Sequence, residues 1–99
     1  MFESVEGLVT EHVELEKRLS APATHADQRL ARRLNQRYAE LTTILATYHD
    51  WQQQGEDLEA ARELAREDAG FAVEADQLCV QRDETADRLR HLLIPRDPA

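Results

Sequence analysis

A stretch of about forty-five residues without a strong helix breaker constrains this sequence more than any other feature. Between residues 24 and 69 the sequence contains no proline, and Gly55 is its only glycine. Helix-forming residues fill the rest, so helix is favoured almost throughout. An isolated glycine costs about 1 kcal/mol relative to alanine and does not by itself end a helix. We therefore expect one helix of roughly 40 residues, which would be about 60 Å long.

Apolar side chains at alternating spacings of three and four residues predict three helices. The first runs from Phe2 to Leu19 and stops before Pro22, because proline disfavours helical geometry in the residue that precedes it. The second begins near Thr24, which forms a pair like a capping box with Asp27. Its stripe contains Leu30, Leu34, Tyr38, Leu41, Leu45 and Tyr48, and continues more weakly through Trp51, Leu58, Ala61 and Ala65.

Gly70 is the only turn signal before the next stripe, and we expect the chain to reverse there. The third helix ends at Ile94, before Pro95, and its inward positions are Phe71, Ala75, Leu78, Arg82, Thr85, Leu89 and Leu92. A short turn between two long helices makes them antiparallel, and narrow stripes are typical of a coiled-coil seam.

The predicted fold is therefore an all-α, coiled-coil-like bundle of three helices. It consists of an antiparallel hairpin of long helices with a shorter N-terminal helix packed on it. Residues 1–94 form this helical domain. Residues 95–99, PRDPA, are typical of the start of a linker, here to a core domain absent from this chain.

The composition argues against several classes of protein. No apolar run approaches the roughly 18 residues that a membrane span needs, and residues 1–6 lack the basic-then-apolar order of a signal peptide. The single cysteine, Cys79, excludes an internal disulfide framework. We therefore expect a cytoplasmic protein with no membrane partner. The net charge of −8 argues against binding to DNA or RNA unless a local basic patch provides it.

Charge is distributed unevenly along the predicted hairpin. The second helix starts with four arginines (Arg29, Arg32, Arg33 and Arg37), beside the arginine-containing end of the third. Between Gly55 and Asp76, eight acidic residues against two arginines leave a net charge of −6 at the hairpin tip. Such charges are typical of solvated helix faces, and the competing hypothesis is that they contact a partner. The residues proposed for that contact are Glu63, Glu67 and Asp68 at the tip and Arg29 and Arg33 at the base.

The residues that usually carry chemistry do not form a site in this sequence. None of the four histidines pairs with another histidine or a cysteine at metal-ligand spacing. His12 lies on an apolar stripe and is interpreted as a packing residue, and Cys79 as a buried structural thiol. The glycines form no phosphate-binding loop. We expect no metal, no cofactor and no enzymatic activity.

Three segments of the sequence carry a resemblance to a known family. They are RYAEL at residues 37–41, DWQQ at residues 50–53 and LLIPRDP at residues 92–98. In this order and spacing they resemble the N-terminal domain of bacterial class I peptide chain release factors over the whole chain. The pattern is more similar to the type that reads UAA and UAG than to the type that reads UAA and UGA.

The resemblance implies a helical first domain followed by the domains that act in translation termination. In the family, those later domains recognise the stop codon and place a Gly-Gly-Gln loop where peptidyl-tRNA is hydrolysed on the ribosome. The first domain reaches toward the stalk base and factor-binding region of the large subunit. No Gly-Gly-Gln occurs in this sequence, so the resemblance implies a non-catalytic domain of a longer protein.

An antiparallel coiled-coil adaptor is the alternative interpretation. In that case unfilled apolar stripes would pair between two copies, and the isolated chain would form a homodimer. The coding sequence beyond residue 99 distinguishes the two interpretations, since only a release factor continues into a Gly-Gly-Gln-containing core.

Overall fold

Four helices account for nearly all of the structure, a computed structural model that describes residues 2–95. They are α1 (Val5–Leu19), α2 (Pro22–Ala26), α3 (Gln28–Ala65) and α4 (Gly70–Leu93). No strand occurs among residues 2–95. The all-α prediction is confirmed, as is the long helix, because α3 extends over 38 residues.

The chain divides into two compact units, Met1–Leu45 and Ala46–Ala99. The first contains α1, α2 and the beginning of α3, and the second contains the rest of α3 and α4. Each unit has its own buried side chains, and α3 contributes some of them to both units.

In the first unit, α1 packs on the beginning of α3. The side chains buried there are Phe2, Val5, Leu15, Thr24, Leu34, Leu41 and Ile44. Leu34 and Leu41, two predicted stripe positions of the second helix, are among them, whereas Ile44 was not assigned to a stripe. The apolar periodicity therefore identified the face of α3 correctly but made it too narrow.

In the second unit, α4 packs antiparallel to the end of α3. Leu58 and Ala61 of α3 form a buried cluster with Ala75 of α4, and Leu78 and Cys79 pack against it. Alanine on both helices allows their backbones to approach closely. Cys79, predicted to be a buried structural thiol, packs against this cluster but is only half-buried.

The predicted start of the second helix is wrong. Residues 22–26 form the separate short helix α2, with Pro22 in its first turn, and Ala21 is extended as expected before a proline. Asp27 then leaves the helical region (φ −110°, ψ 97°). Its Oδ1 accepts a hydrogen bond of 3.1 Å from the backbone N–H of Leu30, so Asp27 caps α3. Thr24, the expected cap, is instead buried in α2.

The other predicted helix boundaries hold within a few residues. The first helix begins at Val5, not Phe2, after a turn in which the Val5 N–H donates to the Phe2 carbonyl at 3.2 Å. Gly55 does not interrupt α3, and the reversal lies immediately before Gly70. α4 ends at Leu93. Of the predicted linker, residues 96–99 lie outside the described residues.

Candidate interaction surfaces

The predicted acidic tip lies at the connection between α3 and α4 in the second unit. Glu63 is in the last turn of α3, and Glu67 and Asp68 follow in the loop. All three are exposed. Glu63 forms an ion pair of 3.5 Å with Arg66 that is open to solvent on both sides, and such pairs contribute little to stability. The carboxylates of the tip are therefore available to a partner.

Asp68 also has a structural function in this tip. Its Oδ1 accepts a hydrogen bond of 2.9 Å from the backbone N–H of Gly70, at the start of α4. This contact satisfies a donor that the helix itself leaves unpaired. A substitution of Asp68 would thus change the turn as well as the charge, whereas Glu63 and Glu67 report on charge alone.

The predicted basic residues Arg29 and Arg33 lie in the first two turns of α3, in the first unit, and both are exposed. The structure thus puts the two predicted groups of contact residues in different units.

Arg37, which belongs to the same basic segment, is held by two carboxylates. Its Nε and Nη2 donate to the two carboxyl oxygens of Glu11 on α1 at 2.9 and 2.8 Å, and its Nη1 donates to Glu40 at 3.3 Å. The hydrogen bond from Arg37 holds the pKa of Glu11 below its ordinary value, although partial burial acts in the opposite direction. Arg37 therefore joins α1 to α3 and contributes no free positive charge.

His12 makes a second connection between α1 and α3. Its ring stacks on that of Tyr38 with a centroid distance of 4.3 Å, and its Nε2 lies 2.9 Å from Thr42 Oγ1. Since the Thr42 hydroxyl already donates to the Tyr38 carbonyl at 2.8 Å, His12 Nε2 is the donor to Thr42. The interpretation of His12 as a packing residue is confirmed.

A cation and an aromatic ring meet at the interface of α3 and α4 in the second unit. The Arg82 guanidinium carbon lies 4.2 Å from the centroid of the Trp51 ring, and Arg82 Nε donates to the Trp51 carbonyl at 3.2 Å. An ideal Cβ at Gly55 would lie 2.6 Å from Arg82 Nη2. The missing side chain of Gly55 is therefore what gives the guanidinium its place on α3.

The contacts of Arg37 with Glu11 and of Arg82 with Trp51 were not predicted from the sequence, because the residues that meet are 26 and 31 positions apart. Among residues 2–95 no group of three or more His, Cys, Asp or Glu side chains is placed to hold a metal ion. No helix in that part of the chain is long and apolar enough to cross a membrane.

Comparison with known proteins identifies the family to which the chain belongs. The profile of the PCRF domain matches residues 8–99. The chain is 57% identical over 99 residues to peptide chain release factor 1 of Streptomyces coelicolor and 59% identical over 99 residues to the factor of that name from Nocardioides sp.. With the factor of that name from Renibacterium salmoninarum it shares 56% identity over 98 residues.

These alignments cover 99–100% of this chain but only 27–28% of each relative. The chain thus spans between a quarter and a third of the length of the curated relatives it matches. No solved structure shows a significant match. The family resemblance predicted from residues 37–41, 50–53 and 92–98 is confirmed.

Proposed function

We propose that this chain, which belongs to the PCRF domain family of peptide chain release factors, is the non-catalytic N-terminal domain of a translation termination factor. In the intact protein this factor would direct stop-codon-dependent hydrolysis of peptidyl-tRNA on the ribosome, in the cytoplasm. The observation that carries the proposal is 57% identity across all 99 residues to a peptide chain release factor 1. The name of this relative, peptide chain release factor 1, supports assignment to the type that reads UAA and UAG.

The proposed division of labour assigns recognition to this domain and chemistry to the rest of the factor. The chain has no Gly-Gly-Gln sequence, and the longer-range polar contacts described among residues 2–95 join one helix to another. A helical domain with two charged surfaces is suited to position a longer protein on a large partner.

We propose that the partner is the factor-binding, stalk-base region of the large ribosomal subunit. Support comes from the acidic tip, where Glu63 and Glu67 are exposed, as are Glu59, Asp68 and Glu74 nearby in the sequence. An acidic surface attracts basic protein surfaces and accelerates association at low ionic strength. The tip would therefore dock on a basic ribosomal protein surface.

A chimera tests both parts of the proposal. Residues 1–99 replace the matching segment of the Streptomyces coelicolor factor, and peptide release from ribosomes stopped at UAA, UAG or UGA is measured. We expect release at UAA and UAG. In the chimera, Glu63→Gln with Glu67→Gln should slow release at limiting factor concentration by roughly threefold to tenfold and flatten its salt dependence, because the lost charges act on association.

The matched control is the chimera with Glu14→Gln and Glu16→Gln, two exposed acids on α1 that carry the same charge change outside the tip. Release at saturating factor should be equal in all forms, since no catalytic group changes. A folded chimera without release would refute the domain assignment. A tip variant indistinguishable from the control would refute the tip contact, and a stable homodimer of the 99-residue chain would favour the coiled-coil adaptor.

A further inference from the structure

A basic surface lies at the start of α3 in an otherwise acidic chain. Arg29, Arg32 and Arg33 fall within five consecutive residues, and all three are exposed. None forms an ion pair with another part of residues 2–95, in contrast to Arg37, Arg66 and Arg90. Their charge is therefore directed at solvent.

The position of these arginines is unfavourable for the helix. The beginning of a helix carries a partial positive charge, so cations there reduce helix stability. None of the three forms an ion pair within residues 2–95 that would offset this cost. An anionic partner bound to these arginines would offset that cost.

A shallow groove adjoins these arginines within the same unit. It runs from α2 along α3 and is lined by His25, Gln28, Ala31, Arg32, Asn35 and Ala39, with Gln36 at its side. The alanines of its lining are small, and the amides of Gln28 and Asn35 supply hydrogen-bond donors and acceptors. Arg32 belongs to both the groove and the basic cluster.

We propose that this surface, the three arginines together with the groove, binds the sugar–phosphate backbone of structured RNA. Guanidinium groups bind phosphate oxygens through two parallel hydrogen bonds. Residues three and four apart on a helix are about 5–6 Å apart, so Arg29 and Arg33 can contact neighbouring phosphates. The amides of the groove are suited to ribose hydroxyls, which distinguish RNA from DNA.

This inference deepens the proposed function, on which it rests for the identity of the RNA as ribosomal. It assigns different chemistries to the two charged surfaces: carboxylates of the tip to a basic protein, and the arginine surface to RNA. An acidic protein segment is the competing ligand for three arginines. The groove favours RNA, because ribose hydroxyls can both donate to and accept from its amides, whereas a carboxylate can only accept.

Direct binding to RNA tests the inference without a ribosome. The complete 99-residue chain is titrated against a fluorescent 20-base-pair RNA duplex in 50–200 mM KCl, with the DNA duplex of the same sequence in parallel. Three phosphate contacts predict a slope of about −2.7 in log affinity against log salt, which corresponds to about 40-fold weaker binding across this range. We expect RNA to bind more tightly than DNA.

The variant Arg29→Gln, Arg32→Gln, Arg33→Gln should abolish the salt dependence and reduce affinity by at least tenfold at 50 mM KCl. The control is Arg62→Gln, Arg66→Gln, Arg88→Gln, with three exposed arginines of the second unit and the same change in charge, and it should bind as the unmodified chain does. Ala39→Trp places a bulky ring in the groove at an exposed position and should weaken binding several-fold at unchanged slope. Circular dichroism confirms that each variant is folded.

Equal losses in the two triple variants would overturn the proposal, because they would indicate a general charge effect. Retained binding in the Arg29, Arg32, Arg33 variant would also overturn it. Binding of a polyglutamate peptide but not of RNA would assign the surface to an acidic protein. Since no ribosome is present, each of these results is separate from the outcome of the chimera experiment.

Discussion

At the scale of single residues, the strongest polar contact between α1 and α3 is the pair Glu11–Arg37. Arg37 donates to both oxygens of Glu11 at 2.9 and 2.8 Å, a geometry that makes charge-assisted bonds stronger than single contacts. The side chains are 39% and 38% exposed, so solvent screens the pair. The contribution of the pair to stability is therefore modest, and it depends on the charge of Glu11.

Glu11→Gln should lower the free energy of unfolding by about 0.5–1 kcal/mol at pH 7. The pKa of Glu11 is lowered in the folded chain, so its contribution is complete above the unfolded pKa and is lost as pH falls through the folded pKa. Urea unfolding at a series of pH values should therefore show the variant and the unmodified chain converging as the pH falls below the ordinary glutamate pKa of 4.5. Glu14→Gln, at an exposed position of the same helix, is the control. A difference that persists in acid would show that Glu11 acts through packing and not through charge.

The pairing of Glu11 with Arg37 could not be predicted from the sequence. Glu11 and Arg37 are 26 positions apart, and no local spacing rule connects them. The sequence did identify the arginines at the start of α3 as a group, with Arg29 and Arg33 proposed for a partner contact, but it did not predict that Arg37 pairs with Glu11. Only the packing of α1 on α3 separates the arginine that is paired from those that face solvent.

At the scale of the helices, the contact of Arg82 with Trp51 depends on Gly55. Gly55→Ala should improve the intrinsic helix preference of α3 by up to about 1 kcal/mol. The new Cβ would meet the Arg82 guanidinium at 2.6 Å, and this flexible end must move off the indole. The lost hydrogen bond and cation–π contact are each worth about 1 kcal/mol, so net stability should change little or fall slightly.

The measurement for Gly55→Ala is intrinsic fluorescence, since Trp51 is the only tryptophan of the chain. We expect the emission of Gly55→Ala to match that of Arg82→Met, which keeps an unbranched stem but removes the cation. Gly7→Ala is the control, because an added Cβ there meets nothing within 4 Å. Emission of Gly55→Ala identical to the unmodified chain would mean that Arg82 stays on Trp51 without the space that Gly55 provides.

Helix existence could be predicted from the sequence, but one helix boundary could not. Apolar spacing identified α1, α3 and α4, and Gly70 marked the reversal, because long periodic segments carry a strong signal. The break between α2 and α3 was missed because Thr24 and Asp27 are both good capping residues. Burial decided between them: Thr24 is 6% exposed in the interior of the first unit, and Asp27 is exposed and free to turn outward.

At the scale of the whole molecule, family membership was predictable and the contact surfaces were only partly so. The segments at residues 37–41, 50–53 and 92–98 indicated the family because their order and spacing are specific in combination. The acidic tip and the basic start of α3 could be predicted from the distribution of charged residues. The groove beside Arg32 could not be predicted, because it depends on the position of α2, which the sequence did not separate from α3.

The small size of the chain makes its stability depend on a few fully buried side chains. Leu41 in the first unit and Leu89 in the second are both 0% exposed. Truncation of a buried leucine to alanine removes apolar contacts and leaves a cavity, which typically costs about 2–5 kcal/mol. Since domains of this size are stabilised by only about 5–15 kcal/mol, either substitution should remove a large share of the total.

We therefore expect Leu41→Ala and Leu89→Ala each to lower the free energy of unfolding by about 3 kcal/mol, measured by urea unfolding with circular dichroism. Leu64→Ala makes the same chemical change at a position that is 49% exposed and should stay within about 0.5–1 kcal/mol of the unmodified chain.

Hydrogen exchange shows whether Leu41→Ala reduces the protection of backbone amides only in the first unit or along all of α3. Because backbone hydrogen bonds continue through α3 from Gln28 to Ala65 and helix formation is cooperative, we expect the loss to extend beyond the first unit. Protection of residues 46–65 that is unchanged in Leu41→Ala would contradict this coupling and would make the two units independent in folding.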